Sequence, residues 1–399
     1  MNKKISLGAA IAFMAVIAAI TFCVTMLFSQ DIFNRMVSNV TQKEQMYEKV
    51  EEIYNKVNDN YLFQVDEEQM LDAMGDGIMA GLNDKYAEYY DKDEYAQKLK
   101  EDKGELVGIG VTVQQDPTSG YLNVIDVYSG SPAESAGLVK GDMIVQVDGT
   151  DLATLGDDVE PASLVQGEAG SKVSIVYRRD GVDTTVEMAR KKVTIPSVES
   201  RMIDENGYIK ISDFNDSTPG QFKDAVELLK EEGAKALIFD LRNNGGGTLD
   251  SVLEILDYLL PEGDIATATD KDGNTRVLKT SDAQCIDMPM VTITNGNTAS
   301  ASELFVQALK DYKMADSVGT TTYGKGVMQT TYQLSDGSAV KLTTSYFNPP
   351  KSENFDGKGI EPNYEVELTQ EQEKDFENLD ETNDPQLMKA LEVVSSLVK

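Results

Sequence analysis

Thr298, Ser300 and Ser302 lie where an apolar segment, 290–294, gives way to a helical pattern, and Lys325 stands between Gly324 and Gly326, 25 residues beyond Ser300. A serine at a strand-to-helix turn presents its Oγ for nucleophilic attack and leaves the next backbone N–H free to hold an oxyanion. A helix cap accounts for one of the three hydroxyls without choosing among them. The 399-residue sequence contains no histidine, which excludes a Ser-His-Asp or Cys-His triad and every zinc motif built on imidazole. The base for such a serine would then be an uncharged lysine amine. Bringing a lysine pKa from about 10.4 to ~7–8 disfavours the protonated form by roughly 4 kcal/mol and requires burial away from carboxylates. Tyr323, Val327 and Met328 give Lys325 locally apolar surroundings in a chain of 68 acidic residues. Spacing alone leaves Lys325 either such a base or a solvated turn residue.

Two glycine-rich stretches narrow the chemistry further. Gly245-Gly246-Gly247-Thr248-Leu249 sits between a predicted strand and a predicted helix, where a dinucleotide fingerprint would lie, but Asp250 stands where that pattern needs glycine. What remains is either a tight turn or a row of N–H groups suited to an anion. The run from Gly319 to Lys325 fits a phosphate loop up to its last position, where Gly326 replaces the magnesium-binding hydroxyl and the next segment reads as strand, not helix. Both contexts that nucleotide hydrolysis by such a loop requires are absent.

The elements that must position these residues follow from periodicity. Beyond residue 196, strands at 207–211, 236–240 and 290–294 alternate with helices at 219–232, 249–260 and 299–312, and strands follow at 327–334 and 338–344. This is βαβ organisation. Between 104 and 190 the period is two, with strands at 108–113, 121–127 and 143–147 and a hairpin of 173–178 with 182–188. Ser131 as cap, Pro132 at the first helical position and Gly137 at the stop specify one short helix among them. Upstream, Met46, Val50, Ile53, Val57 and Tyr61 share one face of a helix over 41–61, and helical stretches at 66–82 and 86–99 complete a small module. The amphipathic stretch 385–398 fits either a partner chain or internal packing.

Charge and the N-terminus bound location and partners. A formal net charge of −32 argues against nucleic acid, which must be met by Lys and Arg that release its counterions. Cys23 and Cys285 are too few and too separated for a disulfide framework. Residues 5–28 form an apolar run long enough, at about 1.5 Å per residue, to cross a ~30 Å hydrocarbon core. Lys3 and Lys4 precede it, which keeps the N-terminus cytoplasmic and places the rest outside as a single-pass protein. A cleaved signal peptide, giving a secreted protein, is the competing reading.

Taken in order, these motifs resemble the C-terminal processing peptidases, or tail-specific proteases, which are serine peptidases with a Ser/Lys dyad and a PDZ domain. Val107-Gly108-Ile109-Gly110-Val111, Ser131-Pro132-Ala133 and Val147-Asp148-Gly149 are similar to a PDZ core. Asp240-Leu241-Arg242-Asn243-Asn244 resembles the oxyanion segment, Thr298-Ala299-Ser300-Ala301-Ser302-Glu303 the nucleophile motif, and Tyr323-Gly324-Lys325-Gly326 with Gln329 the base segment. The resemblance implies an α/β multidomain chain: a membrane signal-anchor (1–30), a helical segment (31–103), a β-rich PDZ domain (104–190), an α/β, crotonase/tricorn-like peptidase core (191–369) and an acidic tail with a helix (370–399). It implies Ser300 as nucleophile, Lys325 as general base, Gln329 orienting it, and the N–H groups of Gly246 and Ala301 as the oxyanion hole. Gly108, Ile109, Gly110 and Val111 would hold a substrate carboxylate. No metal or cofactor is implied. Expected partners are polypeptides with free apolar C-termini, the membrane, and a second copy as a homodimer. Two departures stand out: Gly245 replaces the usual proline, and Gln166 stands where many members carry arginine before Gly167 and Gly170. A non-catalytic, membrane-tethered PDZ scaffold is the alternative.

Overall fold

The computed structural model describes residues 7–156, 159 and 161–398. The chain divides into an N-terminal unit ending at Gly75 and a second unit from Asp76 onward. The first contains helix α1, Leu7–Asn60, and the start of helix α2, Glu67–Gly81. Most of the apolar run expected to cross a membrane lies in α1, but among the described residues no helix is long and apolar enough to do so. Lys3 and Lys4 lie outside the described residues.

In the second unit, the helix expected over 86–99 is in part a strand. Strand β1, Glu88–Tyr90, precedes helix α3, Lys92–Asp102. Asp91 forces the break, because its carboxylate accepts from the N–H of Asp93 and Glu94 while Glu94 accepts from the Asp91 N–H. This reciprocal cap fixes the helix start and leaves the tyrosine-rich residues before it extended.

The PDZ-like part is entered through strand β2, Glu105–Gly108, and left through strand β9, Lys191–Thr194, which pair with each other in a separate antiparallel ribbon. Between them lie β3, Val111–Gln115; β4, Leu122–Val127; helix α4, Pro132–Ser135; β5, Met143–Val147; β6, Thr150–Asp151; β7, Lys172–Arg179; and β8, Val182–Ala189. The sheet order is β3-β4-β5-β7-β8, which leaves β3 with one open edge. Ile109, Leu122, Ile144 and Ile175 fill a core of its own.

The remaining chain builds a six-stranded sheet in the order β10-β11-β12-β15-β16-β19. Its strands are β10, Val198–Ile203; β11, Asn206–Ile211; β12, Ala236–Asp240; β15, Met290–Thr294; β16, Ala315–Gly319; and β19, Tyr364–Glu365. All pairs beyond β10 are parallel. Every residue of β12 and β15 is buried, as strands covered on both faces must be. One face carries helices α5, Thr218–Glu231; α6, Leu249–Leu259; and α7, Ala301–Asp311, around Phe222, Phe239 and Phe305. A second sheet contains β13, Gly263–Asp270; β14, Thr275–Ser281; β17, Val327–Gln333; and β18, Ala339–Asn348, with β1 on its edge against β18.

After the short helix α8, Gln370–Lys374, helix α9, Pro385–Leu397, covers the opposite face of the six-stranded sheet. Its Leu387, Ala390, Val393 and Val394 pack with Ile238, Val291 and Ile293. The amphipathic tail is thus used internally. Arg242 ties it down: the buried guanidinium reaches Asp240 at 2.6 Å and Asp384 at 2.7 Å. Arg242→Met leaves two buried carboxylates without their cation, and a destabilisation of about 3–5 kcal/mol is expected in chemical denaturation.

Candidate active site

Three loops emerge from the carboxyl ends of adjacent parallel strands: 241–248 after β12, 295–300 after β15 and 320–326 after β16. This is the edge where open α/β sheets place ligands. Ser300, Ala301, Lys325 and Gln329 line one cavity of about 300 Å³ there, with Gly245, Gly247, Thr248, Leu249, Met328 and Phe347. The structure separates the three hydroxyls. Thr298 is buried and donates its Oγ1–H to the Leu241 carbonyl at 2.8 Å, and the fully buried Ser302 Oγ has no partner among the described residues. Ser300 alone of the three faces the cavity. Its backbone is held at φ 58°, ψ −117°, a conformation that stores strain of order 1–3 kcal/mol and points to a site where geometry is fixed for use.

What holds that geometry is a residue that sequence reasoning missed as a functional group. Glu303, fully buried in the first turn of α7, accepts four hydrogen bonds. One carboxylate oxygen, Oε2, takes the Ser300 N–H and the Lys325 N–H, each at 2.8 Å. The other takes the Gly324 N–H at 2.7 Å and the Thr322 hydroxyl at 2.6 Å. The two loops that carry Ser300 and Lys325 are therefore fastened to one carboxylate. Its signal in the sequence was the Ser-x-x-Glu spacing of a capping box. Gly324 is glycine because a Cβ there would lie 2.7 Å from the Gly359 backbone nitrogen, at φ +86°.

Lys325 is half-buried, and its ammonium lies 4.4 Å from the centre of the Tyr86 ring. Burial first, and then the nearby Lys341 ammonium, hold its pKa below the ordinary lysine range, against smaller opposing effects of Glu88 and Tyr323. Gln329, expected to orient it, donates its Nε2–H to the Thr343 hydroxyl at 3.1 Å, which leaves its Oε1 as the atom that can accept from an amine. The reason is register: Gln329 and Thr343 are direct cross-strand neighbours in β17 and β18.

The expected oxyanion pair also divides. Gly246 packs so close to the nucleophile turn that a Cβ would lie 2.9 Å from Ser300 Cβ and 3.1 Å from the Ala301 nitrogen, but its own N–H is donated to Asn244 Oδ1 at 2.9 Å. That donor is occupied. The N–H groups of Gly245, Gly247 and Ala301 have no acceptor among the described residues. Gly108, Ile109, Gly110 and Val111 lie elsewhere, in the turn from β2 to the open-edged β3, where the carbonyls of Ile109 and Gly110 accept from Ala133 and Tyr128.

Comparison with known proteins bears on this geometry. Residues 205–366 match the profile of Peptidase family S41, residues 124–179 that of a PDZ domain, and residues 7–94 that of the Activating protease CtpB N-terminal domain. A CtpA-like serine protease of Staphylococcus haemolyticus is 32% identical over 340 residues, covering 84% of this chain and 68% of that protein. The chain belongs to peptidase family S41. An S41 protease of Bacteroides fragilis shares the fold, with a TM-score of 0.51 at 18% identity over 85% of this chain and 94% of that one. The photosystem II D1 C-terminal processing protease is 31% identical over 73% of this chain and 80% of its own, with a TM-score of 0.46. As an S41 member with a PDZ domain, the chain is a C-terminal processing serine protease, and the scaffold alternative is set aside.

Proposed function

We propose that Ser300 attacks the peptide carbonyl and that Lys325 is its base, an assignment carried by the shared Glu303 carboxylate that brings both backbones to one cavity. Lys325, whose neutral form is favoured by the downward shift of its pKa, takes the Ser300 proton in that form as Oγ adds to the carbonyl, and returns it to the leaving amine as the tetrahedral intermediate collapses. The oxyanion is held by the Ala301 N–H and by a second donor from Gly245 or Gly247, which line the cavity where Gly246 does not. Water then releases the acyl group with Lys325 again as base. Gln329 lines the same cavity and orients the amine through its Oε1 while its Nε2–H stays on Thr343.

Substrate is brought by its C-terminus. The open edge of β3 supports strand addition, with the terminal carboxylate in the turn at Gly108, Ile109 and Gly110 and apolar side chains against the PDZ core. In this reading the domains divide as 31–103, 104–190, 191–369 and 370–399, and residues 5–28 anchor the protease with its catalytic part extracytoplasmic. The run's hydropathy and its preceding lysines support that placement. Pairing of two copies falls to α1, where Met46, Val50 and Ile53 are exposed, because the apolar face of α9 is already covered.

The test uses an unstructured polypeptide ending in apolar residues, with products identified by mass spectrometry. Internal peptide bonds are expected to be cut, and amidation of the substrate C-terminus is expected to raise KM about tenfold with little change in kcat. Binding without cleavage would overturn the catalytic assignment.

A further inference from the structure

The cavity that contains Ser300 and Lys325 also contains a second lysine, Lys341, which the mechanism does not use. Lys341 stands in β18, directly opposite Glu88 of β1 on one side and Thr331 of β17 on the other. Its ammonium forms an ion pair with the Glu88 carboxylate, which also accepts the Tyr90 hydroxyl at 2.5 Å. Glu88 comes from the segment matching the N-terminal domain profile, so this edge strand brings a charged group from outside the peptidase core against Lys341. The same segment supplies the Tyr86 ring beneath Lys325 and Lys85, which donates to the Tyr323 hydroxyl at 2.8 Å. Lys98 and Asp102 of α3 complete the charged groups of the cavity and are paired with each other at 2.8 Å.

We propose that Glu88 and Lys341 are positioning residues for catalysis, an anion and a cation set beside Lys325 by the β1–β18 pairing so that their balance fixes how readily Lys325 gives up its proton. The sign of each contribution follows from charge. Lys341 disfavours a second ammonium in the same half-buried cavity, and Glu88 favours it. A pair serving only to staple β1 to the sheet would weaken the site in the same direction whichever partner was lost. A balance responds in opposite directions.

This inference rests on Lys325 as the general base. The experiment is the pH dependence of kcat/KM of the full chain on a fluorogenic peptide, for wild type, Glu88→Gln, Lys341→Met and Lys341→Arg, with thermal melts alongside. Glu88→Gln leaves the Lys341 charge unopposed, so the acid limb moves to lower pH by about 0.5–1 unit. Lys341→Met leaves the Glu88 charge unopposed, and the limb moves to higher pH by a similar amount. Lys341→Arg keeps the charge and the wild-type limb. Should Lys341→Met fail to fold, Glu88→Gln decides, since a limb it leaves in place overturns the proposal. Limbs that stay together or move in one direction also overturn it. Retention of activity by Lys325→Met, measured in parallel, would instead remove the base assignment beneath it.

Discussion

Ser300→Ala and Lys325→Met each lower kcat/KM for peptide hydrolysis by about 10³-fold or more, and the double variant falls to the same floor. Residues that act as one unit lose their joint contribution when either is removed, so the free energies of the two losses do not add. Wild-type kcat/KM rises with pH through the depressed Lys325 pKa, because the amine must be neutral to accept the Ser300 proton, and levels off above it. The acid limb therefore lies below the ordinary lysine range. Single-turnover kinetics on the three variants, with the wild-type pH profile, check the claim. A double variant much slower than either single one would mean that Ser300 and Lys325 act in separate steps.

Glu303→Gln, although isosteric, is expected to reduce kcat by about 10²-fold with a smaller change in KM, and to destabilise the protein by roughly 2–3 kcal/mol. Both oxygens of Glu303 act as acceptors, two donors to each. An amide has only one acceptor oxygen, so its NH2 must face two donors wherever it is placed. The strained turn at Ser300 and the loop of Lys325 then lose a common support, and small displacements of reacting groups are expensive in rate. Steady-state kinetics and thermal melts measure the two effects. Loss of stability with kcat intact would reduce Glu303 to an ordinary buried cap.

The parts of the site that were legible in the sequence are those whose physics is local. The strand-to-helix turn at Ser300 and the lysine between two glycines are set by their immediate neighbours, and the absence of histidine leaves few chemistries for them. Glu303 was not legible, because a Ser-x-x-Glu spacing offers at most a helix cap and nothing in it says that the same carboxylate also reaches Lys325, 22 residues away. Nor were the surroundings of Lys325 legible. Tyr86 lies beside it just before a strand pairing that joins Glu88 to Lys341 across 253 residues, and the segment that carries both was expected to be helix. The occupied Gly246 N–H has a local cause: the Asn244 side chain bonds two residues ahead, as Asn does in turns.

The ribbon formed by β2 and β9 has a bearing on how such a chain could be assembled. Residue by residue from Glu105 with Thr194 to Gly108 with Lys191, the strand entering the PDZ domain is paired with the strand leaving it, and the Ile195 N–H donates to the Gly104 carbonyl just before. To the peptidase core, the whole excursion has the end-to-end geometry of a hairpin turn. An insertion whose ends are already closed adds little loop entropy to its host and can be exchanged for another of different length without moving the strands on either side. The catalytic fold and the PDZ domain can therefore change independently, the ribbon serving as a fixed socket.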